Sequence, residues 1–598
     1  MSKYDIVFAG GGTAACVTAG RLAAADPSLK ILLIESGEHT KGLDTHSQPA
    51  RYFSHLGPTS KTVTFNIGRP SEHLGGRSLV TPSGRCVGGG SSVNFMMYTR
   101  ASASDYDDWE TIYENPGWGS KDLVPLLKKC ETFQVAADKL THGYDGPLKV
   151  SYGGAYTEAG KQFMDVVAVY DKERRATDDV NGLYKCDAYG TGCRSDTANH
   201  YIYNHTGSKV EILTGQRVKR IIFEDDTAVG VEYVADTVLR PDADQTAKTA
   251  FASRLVVLAA GTFGSPTILE RSGIGRKDIL TKYSIDLRVE LPGVGENYQD
   301  HNVIFAPYLA SEETDTLDGL FRGDAQELHA WNEVWQKNGQ GLMAQNGLDA
   351  GIKMRPKSKD LEELGPEFSE RWKEYFESAP DKPVMWLGTV AAYLGDHSLA
   401  PPRKYISLGY FVEYPLAMGS VHIKFADDPH MSHDFDPAFL RDPADIAVLR
   451  WGYKKGREII RRMPVYRGEY LSGHPKFKEG SAAACQSEAK SVPTGAPDIV
   501  YTEEDDRAID EYSRLAAYVN FLIAVGTAWH SLGTCAMKPR DKGGVVDSRL
   551  NVYGVRNLKV ADMSIAPYNV GSNTYSTAVV IGEKAATIIA EELGIAGV

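Results

Sequence analysis

Cysteine is scarce in this chain: seven residues among 598, at positions 16, 86, 130, 186, 193, 485 and 535, with no Cys-x-x-Cys pair. That odd, scattered set excludes a disulfide framework and suits the reduced thiols of a cytosolic-type compartment. Long apolar runs are also missing. The longest, "LAAYVNFLIAV" at 515–525, is about half of the roughly 20 residues needed to span a bilayer, so it belongs in a protein interior. The start "MSKYDIVFAGGG" places Asp5 where a secretory signal would be apolar and offers no cleavage site, so an intracellular protein is expected. Positive charge is in deficit: a net charge of −13 and a pI near 5.7 argue against nucleic acid or an anionic membrane as partner. A small neutral partner is expected instead. Repeats and low-complexity tracts are absent. Metal-ligand clusters are absent too, and no metal is expected: His430 and His433 in "DDPHMSHDFDP" have ligand-like spacing but no companions, and read as a solvated loop.

What is present is a chain of 598 residues with 42% hydrophobic and 24% charged residues, too long for one hydrophobic core and of ordinary globular composition. Two or more domains are therefore expected. The first 38 residues read strand, glycine turn, helix, strand. Their fingerprint is Gly10-x-Gly12-x-x-Ala15, followed by Glu35 at the end of the second strand "ILLIES". Gly10 permits the tight turn, Gly12 lets the backbone approach a pyrophosphate, and Ala15 keeps the helix close to the sheet. The helix that opens at Thr13 and Ala14 offers free N–H groups to an anion, and Glu35 can accept hydrogen bonds from a ribose. A dinucleotide, FAD or NAD, is implied, and the motif does not separate the two.

Residues 84–107, "GRCVGGGSSVNFMMYTRASASDYD", carry three glycines and two serines before Asn94. A segment with so little bulk can thread past a flat cofactor, with Ser91, Ser92 and Asn94 hydrogen-bonding to it. Residues 261–275, "GTFGSPTILERSGIG", follow the apolar strand "RLVVLAAG". These two stretches, with "LPGVGENYQDH" at 291–301 and the final "NLKVADMSIAP" and "NTYSTAVVIGEKAA", resemble the signatures of the glucose-methanol-choline (GMC) oxidoreductases over essentially the full chain. Within that family the wording of "GGGSSVNFMMYTRASASDYDDWE", "APDKPVMW" and "FVEYP" is similar to its branch of fungal alcohol oxidases.

The resemblance implies FAD as cofactor. Arg85, Gly89, Phe95, Met96, Val218, Asp562, Asn573 and Thr574 would join the residues above in holding it. In choline-oxidase-like relatives a histidine just before the motif's asparagine bonds covalently to the flavin. This chain has Val93 there, so non-covalent flavin is expected. The resemblance makes His530 in "WHSLGT" and Asn573 in "VGSNTYS" the catalytic pair, although a lone histidine beside an apolar run is by itself more often a core residue. A neutral imidazole suits removal of a hydroxyl proton, and an amide N–H beside it suits the developing alkoxide. The implied reaction oxidises methanol, ethanol and similar primary alcohols with dioxygen to aldehyde and hydrogen peroxide. Phe95, Met97, Tyr414 and Trp529 would wall the substrate pocket, with plain core packing the equal alternative for Met97 and Tyr414. His301 in "QDH" reads as structural. Competing readings are a quinone-linked dehydrogenase of a bulkier alcohol, a lyase with redox-silent flavin, and a disabled flavin-binding assembly partner.

The expected fold is α/β with α+β: a Rossmann-like FAD-binding domain of 1–155, 190–300 and 526–598, interleaved with a substrate-binding domain of 156–189 and 301–525 built on an antiparallel sheet. Against relatives, "YVNFLIAV" at 518–525 reads as an insertion, and 184–195 reads as shortened. The ending "EELGIAGV" lacks a Ser-Lys-Leu type of peroxisomal address, which leaves cytoplasm and peroxisome equally expected. Relatives assemble into homo-oligomers, often octamers, and the same is expected here.

Overall fold

The computed structural model describes residues 4–153, 155–174, 192–204, 209–515 and 526–598. The apparent insertion at 518–525 and residues 184–191 of the shortened segment lie outside the described residues. The first unit is β1 (Tyr4–Ala9), α1 (Thr13–Ala25) and β2 (Ile31–Ile34). The apolar runs "IVFA" and "ILLI" are buried on both faces, as strands of a covered parallel sheet must be. Three segments later in the chain, β3 (Val210–Leu213), β4 (Gln216–Glu224) and β5 (Thr227–Ala235), precede the long strand β6 (Lys248–Leu258) and then α2 (Gly261–Arg271). The sheet order is β3-β2-β1-β6-β5-β4. β6 has two roles along its length: Lys248–Phe251 pairs antiparallel with β5, whereas its apolar end runs parallel to β1, so Leu258 stands opposite Ala9. The strand ends that lead into the two glycine turns are therefore neighbours, the place where an open α/β sheet takes its ligand.

A second sheet is antiparallel. It consists of β7 (Val303–Ala310), β8 (Ala350–Met354), β9 (Met385–Val390), β10 (Tyr405–Val412) and, after helix α3 (Pro443–Ile460), β11 (Tyr466–Glu469), in the order β8-β9-β10-β7-β11. Its register puts Val303, Trp386 and Phe411 side by side on one face, next to Phe305, Gly388 and Gly409. Those glycines are the floor on which Trp386 lies: a Cβ at Gly388 would come within 2.6 Å of the indole. The opposite face packs on α3, brought close by Gly456, where a Cβ would meet Leu408 at 2.2 Å. One face therefore belongs to the core and the other to the cleft.

The chain then returns to the first sheet. β12 (Leu558–Val560) pairs parallel with β6, and α4 (Tyr575–Leu593) packs on α1, with Thr18 Oγ1 donating to the Gly582 carbonyl at 3.0 Å. The C-terminal segment is thereby part of the same body as the N-terminal unit. Six cysteines lie among the described residues, and all are free thiols. No helix among the described residues is long and apolar enough to cross a membrane.

Candidate active site

A cleft of about 380 Å³ runs between the two sheets. Three helices begin on it: α1, α2 and α4 contribute Thr13, Gly261 and Thr574 to its lining. None of the three has an acidic residue in its first turn or a cap from its own N-cap side chain; the starts of α1 and α4 face the cleft with no carboxylate on them, whereas the first amide of α2 is taken by Asp562. That arrangement suits a pyrophosphate. Gly10 makes the turn possible: its φ is 109°, and a Cβ there would lie 2.3 Å from the Ala259 carbonyl oxygen. The triple-glycine segment is laced against this turn, because the Thr13 hydroxyl donates to the Gly88 carbonyl at 3.0 Å and the Gly88 amide to the Gly11 carbonyl at 2.8 Å. Asp562 Oδ2 accepts from the Gly261 amide at 2.9 Å and from the Ser265 hydroxyl at 2.6 Å, which fixes the start of α2. Glu35 accepts from the amides of Gly11 at 2.9 Å and Gly37 at 2.8 Å, and burial raises its pKa above the usual carboxylate range.

Three buried polar atoms on residues of this lining lack a hydrogen-bond partner among the described residues: Arg271 Nε, Gln216 Oε1 and His433 Nδ1. Unpaired buried polar atoms are costly, and a bound polar cofactor would satisfy them. His433 corrects the reading of a solvated loop: it lies along Phe263, with ring centroids 6.0 Å apart, and faces the cleft. His430 sits beside it, half-buried, with Nε2 3.1 Å from Gln245 Oε1. No group of three or more metal-ligating side chains occurs among the described residues.

At the other end of the cleft the loop 526–533 is tied to the loop 297–302. Gln299 and Leu532 exchange both backbone hydrogen bonds, at 3.1 and 3.0 Å, and the Ala528 amide donates to the His301 carbonyl at 2.9 Å. Asp300 accepts from the His530 amide at 2.9 Å and from the Ser531 hydroxyl at 3.1 Å. Trp529 takes a left-handed φ of 61°, held by a hydrogen bond from its amide to the Thr527 hydroxyl at 2.9 Å. Its indole meets Phe95 edge to face, 4.7 Å between centroids. The His530 ring opens onto the cleft with Nε2 3.3 Å from Asn573 Nδ2 and Nδ1 2.7 Å from His301 Nδ1. Asn573 is oriented by Thr99, whose hydroxyl donates to Asn573 Oδ1 at 3.1 Å and accepts the Asn573 amide at 2.9 Å. Burial, and then the neighbouring His301, holds the His530 pKa well below the usual imidazole value, so the ring is neutral.

The cleft brings together Gly10, Gly12, Thr13, Ala14, Glu35, Arg85, Gly89, Ser91, Asn94, Phe95, Met97, Val218, Trp529, His530, Asp562, Asn573 and Thr574. Three expected residues stand elsewhere. Ser92 turns inward, its hydroxyl donating to the Val87 carbonyl at 3.0 Å. Met96 has a left-handed φ of 58° and packs into an apolar cluster with Tyr52 and Met343. Tyr414 is buried behind the cleft and donates to Asp105 Oδ1 at 2.7 Å. Two-residue alternation explains this: β10 presents Phe411 to the cleft, and Val412 and Tyr414 go to the opposite core. The sequence reading also missed Phe305 and Trp386. The alternation in "VIFAPYLA" and "MWLGTV" was the available signal, but only the register tells which face meets the cleft.

The family model described as GMC oxidoreductase matches residues 4–303, and its C-terminal counterpart matches 415–582. An alcohol oxidase of Candida boidinii is 39% identical over 651 aligned positions, covering 100% of this chain and 96% of that protein. An alcohol oxidase of Pichia angusta is 39% identical over 650 positions with the same coverage. Among solved structures, formate oxidase of Aspergillus oryzae RIB40 aligns with a TM-score of 0.82 at 22% identity over 98% of each chain. An FAD-dependent oxidoreductase of Chaetomium thermophilum aligns with a TM-score of 0.80 at 24% identity, over 99% of this chain and 100% of that one. The chain belongs to the GMC oxidoreductase family.

Proposed function

We propose that this chain is an FAD-dependent alcohol oxidase that converts short primary alcohols and dioxygen to aldehydes and hydrogen peroxide. The observation that carries the reading is the pairing of His530 Nε2 with the Asn573 amide, 3.3 Å apart, in the cleft on which three helices begin. The full-length similarity to alcohol oxidases supports it. The glycine turns, the orphaned polar atoms and Glu35 fit FAD, with Thr13, Gly261 and Thr574 at its pyrophosphate and Glu35 and Val218 toward its adenosine. Val93 in the lining has no nucleophilic atom, in keeping with non-covalent flavin. Bound FAD would supply the acceptor for the carbon-bound hydrogen and its electron pair, and would return them to dioxygen.

The residues do the rest. His530, neutral, accepts the hydroxyl proton at Nε2, and its resulting charge together with the Asn573 N–H stabilises the alkoxide. Phe95, Trp529, Phe411 and Trp386 give the substrate end apolar walls and exclude water, which strengthens both interactions. Bulky walls favour methanol and ethanol over longer alcohols. We take residues 156–189 and 301–525 as the substrate-binding part and assembly as a homo-oligomer, which light scattering will count. The function is tested by mixing purified flavin-loaded protein with methanol, then ethanol, without oxygen. Bleaching of the flavin absorbance, followed by recovery of colour and release of peroxide on aeration, is the expected result. Absence of bleaching with every short alcohol sinks the reading.

A further inference from the structure

His301 was expected to be structural, yet its ring lies against the candidate base. It is fully buried and stacked on Phe411, with centroids 5.0 Å apart and 18° between planes. Its Nε2 is 3.1 Å from the Val570 carbonyl oxygen. A carbonyl only accepts, so that nitrogen carries a proton. Burial pushes the His301 pKa down to about 3, which leaves one proton on the ring and a lone pair on Nδ1. His530 Nδ1 stands 2.7 Å away. Two bare nitrogens would repel at that distance, so the proton between the rings belongs to His530. Its Nε2 is then bare and faces the Asn573 amide group at 3.3 Å. For two neutral rings, the chain from Val570 to Asn573 admits this proton assignment and no other.

We infer that His301 is a positioning residue that holds His530 as the Nδ1–H tautomer and so keeps Nε2 open for the alcohol proton. The inference rests on the proposed oxidation at the same site. In the step itself the alcohol O–H bond breaks, an N–H bond forms at His530 Nε2, and the electron pair stays on the substrate oxygen. The positive charge on His530 is then shared through its Nδ1–H with His301. Behind His301 stands Glu413, fully buried, with Oε2 3.9 Å from Nε2 and both carboxyl oxygens without a hydrogen-bond partner among the described residues. Burial pushes the Glu413 pKa up to about 8, and Lys353 opposes the shift.

The test is nitrogen-15 NMR of the histidine-labelled, flavin-loaded protein, with the His530 signals assigned by loss in His530→Ala. Wild type should show Nδ1 protonated and Nε2 bare. His301→Asn retains an acceptor oxygen near the Nδ1 position and should keep that tautomer, with anaerobic flavin reduction within about tenfold of wild type. His301→Leu should mix the two tautomers and lower the limiting reduction rate by about 100-fold, with little change in the alcohol concentration at half saturation, because a wrong tautomer disables a base without altering binding. A proton on His530 Nε2 in the wild type overturns the inference. So does an unchanged tautomer in His301→Leu. If that variant does not fold, the wild-type and His301→Asn spectra decide. If no alcohol reduces the wild type, the oxidase reading fails while the spectra still judge the tautomer.

Discussion

Asp300 holds His530 by its backbone: Oδ1 accepts the His530 amide at 2.9 Å, while Oδ2 accepts the hydroxyls of Ser531 at 3.1 Å and Tyr298 at 3.2 Å. Thr527 donates to the same oxygen. One buried carboxylate thus gathers the loop that aims the imidazole, and burial raises its pKa to about 6.

Replacing Asp300 with Ala leaves these donors without their acceptor. The loss expected is about 2–4 kcal/mol of stability, since hydrogen bonds to a charged group each contribute about 1.5–3 kcal/mol and buried donors left unpaired add to the cost. Urea unfolding measures it, and a variant within about 0.5 kcal/mol of wild type contradicts the tie.

Asn573→Ala removes one oriented donor at the substrate oxygen. Removal of such a donor typically costs about 10²–10³-fold in the chemical step, so anaerobic flavin reduction should slow by about that factor with little change in saturation. The pH profile follows the direction of the His530 shift. The reactive form is the neutral ring, and its pKa is lowered, so the wild-type rate should stay level as pH falls through 6.5 and decline only at more acid values. Asn573→Asp places a carboxylate beside Nε2, favours the imidazolium and should move that acid limb upward. Stopped-flow reduction from pH 4.5 to 9 checks both.

Phe411 lies between Trp386, at 5.2 Å between centroids, and His301, at 5.0 Å. Phe411→Ala should open the substrate end and shift kcat/KM toward longer alcohols. One methylene in an apolar pocket is worth about 1–3 kcal/mol, so a change of at least about 10-fold in the butanol-to-methanol ratio is expected. An unchanged ratio across methanol, ethanol, propanol and butanol places the alcohol elsewhere.

His422 is not among the cleft-lining residues and reports on stability. Burial disfavours its charge, but Glu270 at 2.7 Å and Glu296 at 3.3 Å outweigh that and raise its pKa to about 9. A raised imidazole pKa contributes stability that is fully present below the unfolded value near 6.5 and is lost as pH rises through about 9. The Tm difference between wild type and His422→Gln should therefore narrow from pH 6.5 to 9. A constant difference rules this ion pair out as its source.

The sequence by itself determined the cofactor end of this protein. Gly10, Gly12, Ala15 and Glu35 are local features, because a strand, a turn that needs φ > 0 and a helix start follow from neighbouring residues. Resemblance carried the reading to His530 and Asn573, and the structure brings both to one cleft. The substrate end was decided by the tertiary structure. Resemblance named Tyr414 for the pocket wall, but the register of β10 turns Phe411 to the cleft and Val412 to the opposite core, where Tyr414 also lies. His301 and His530 are 229 positions apart, and the proton between them is assigned only once the Val570 carbonyl and the two rings are in contact. A tautomer depends on hydrogen bonds that folding brings together, and no local run of sequence contains them.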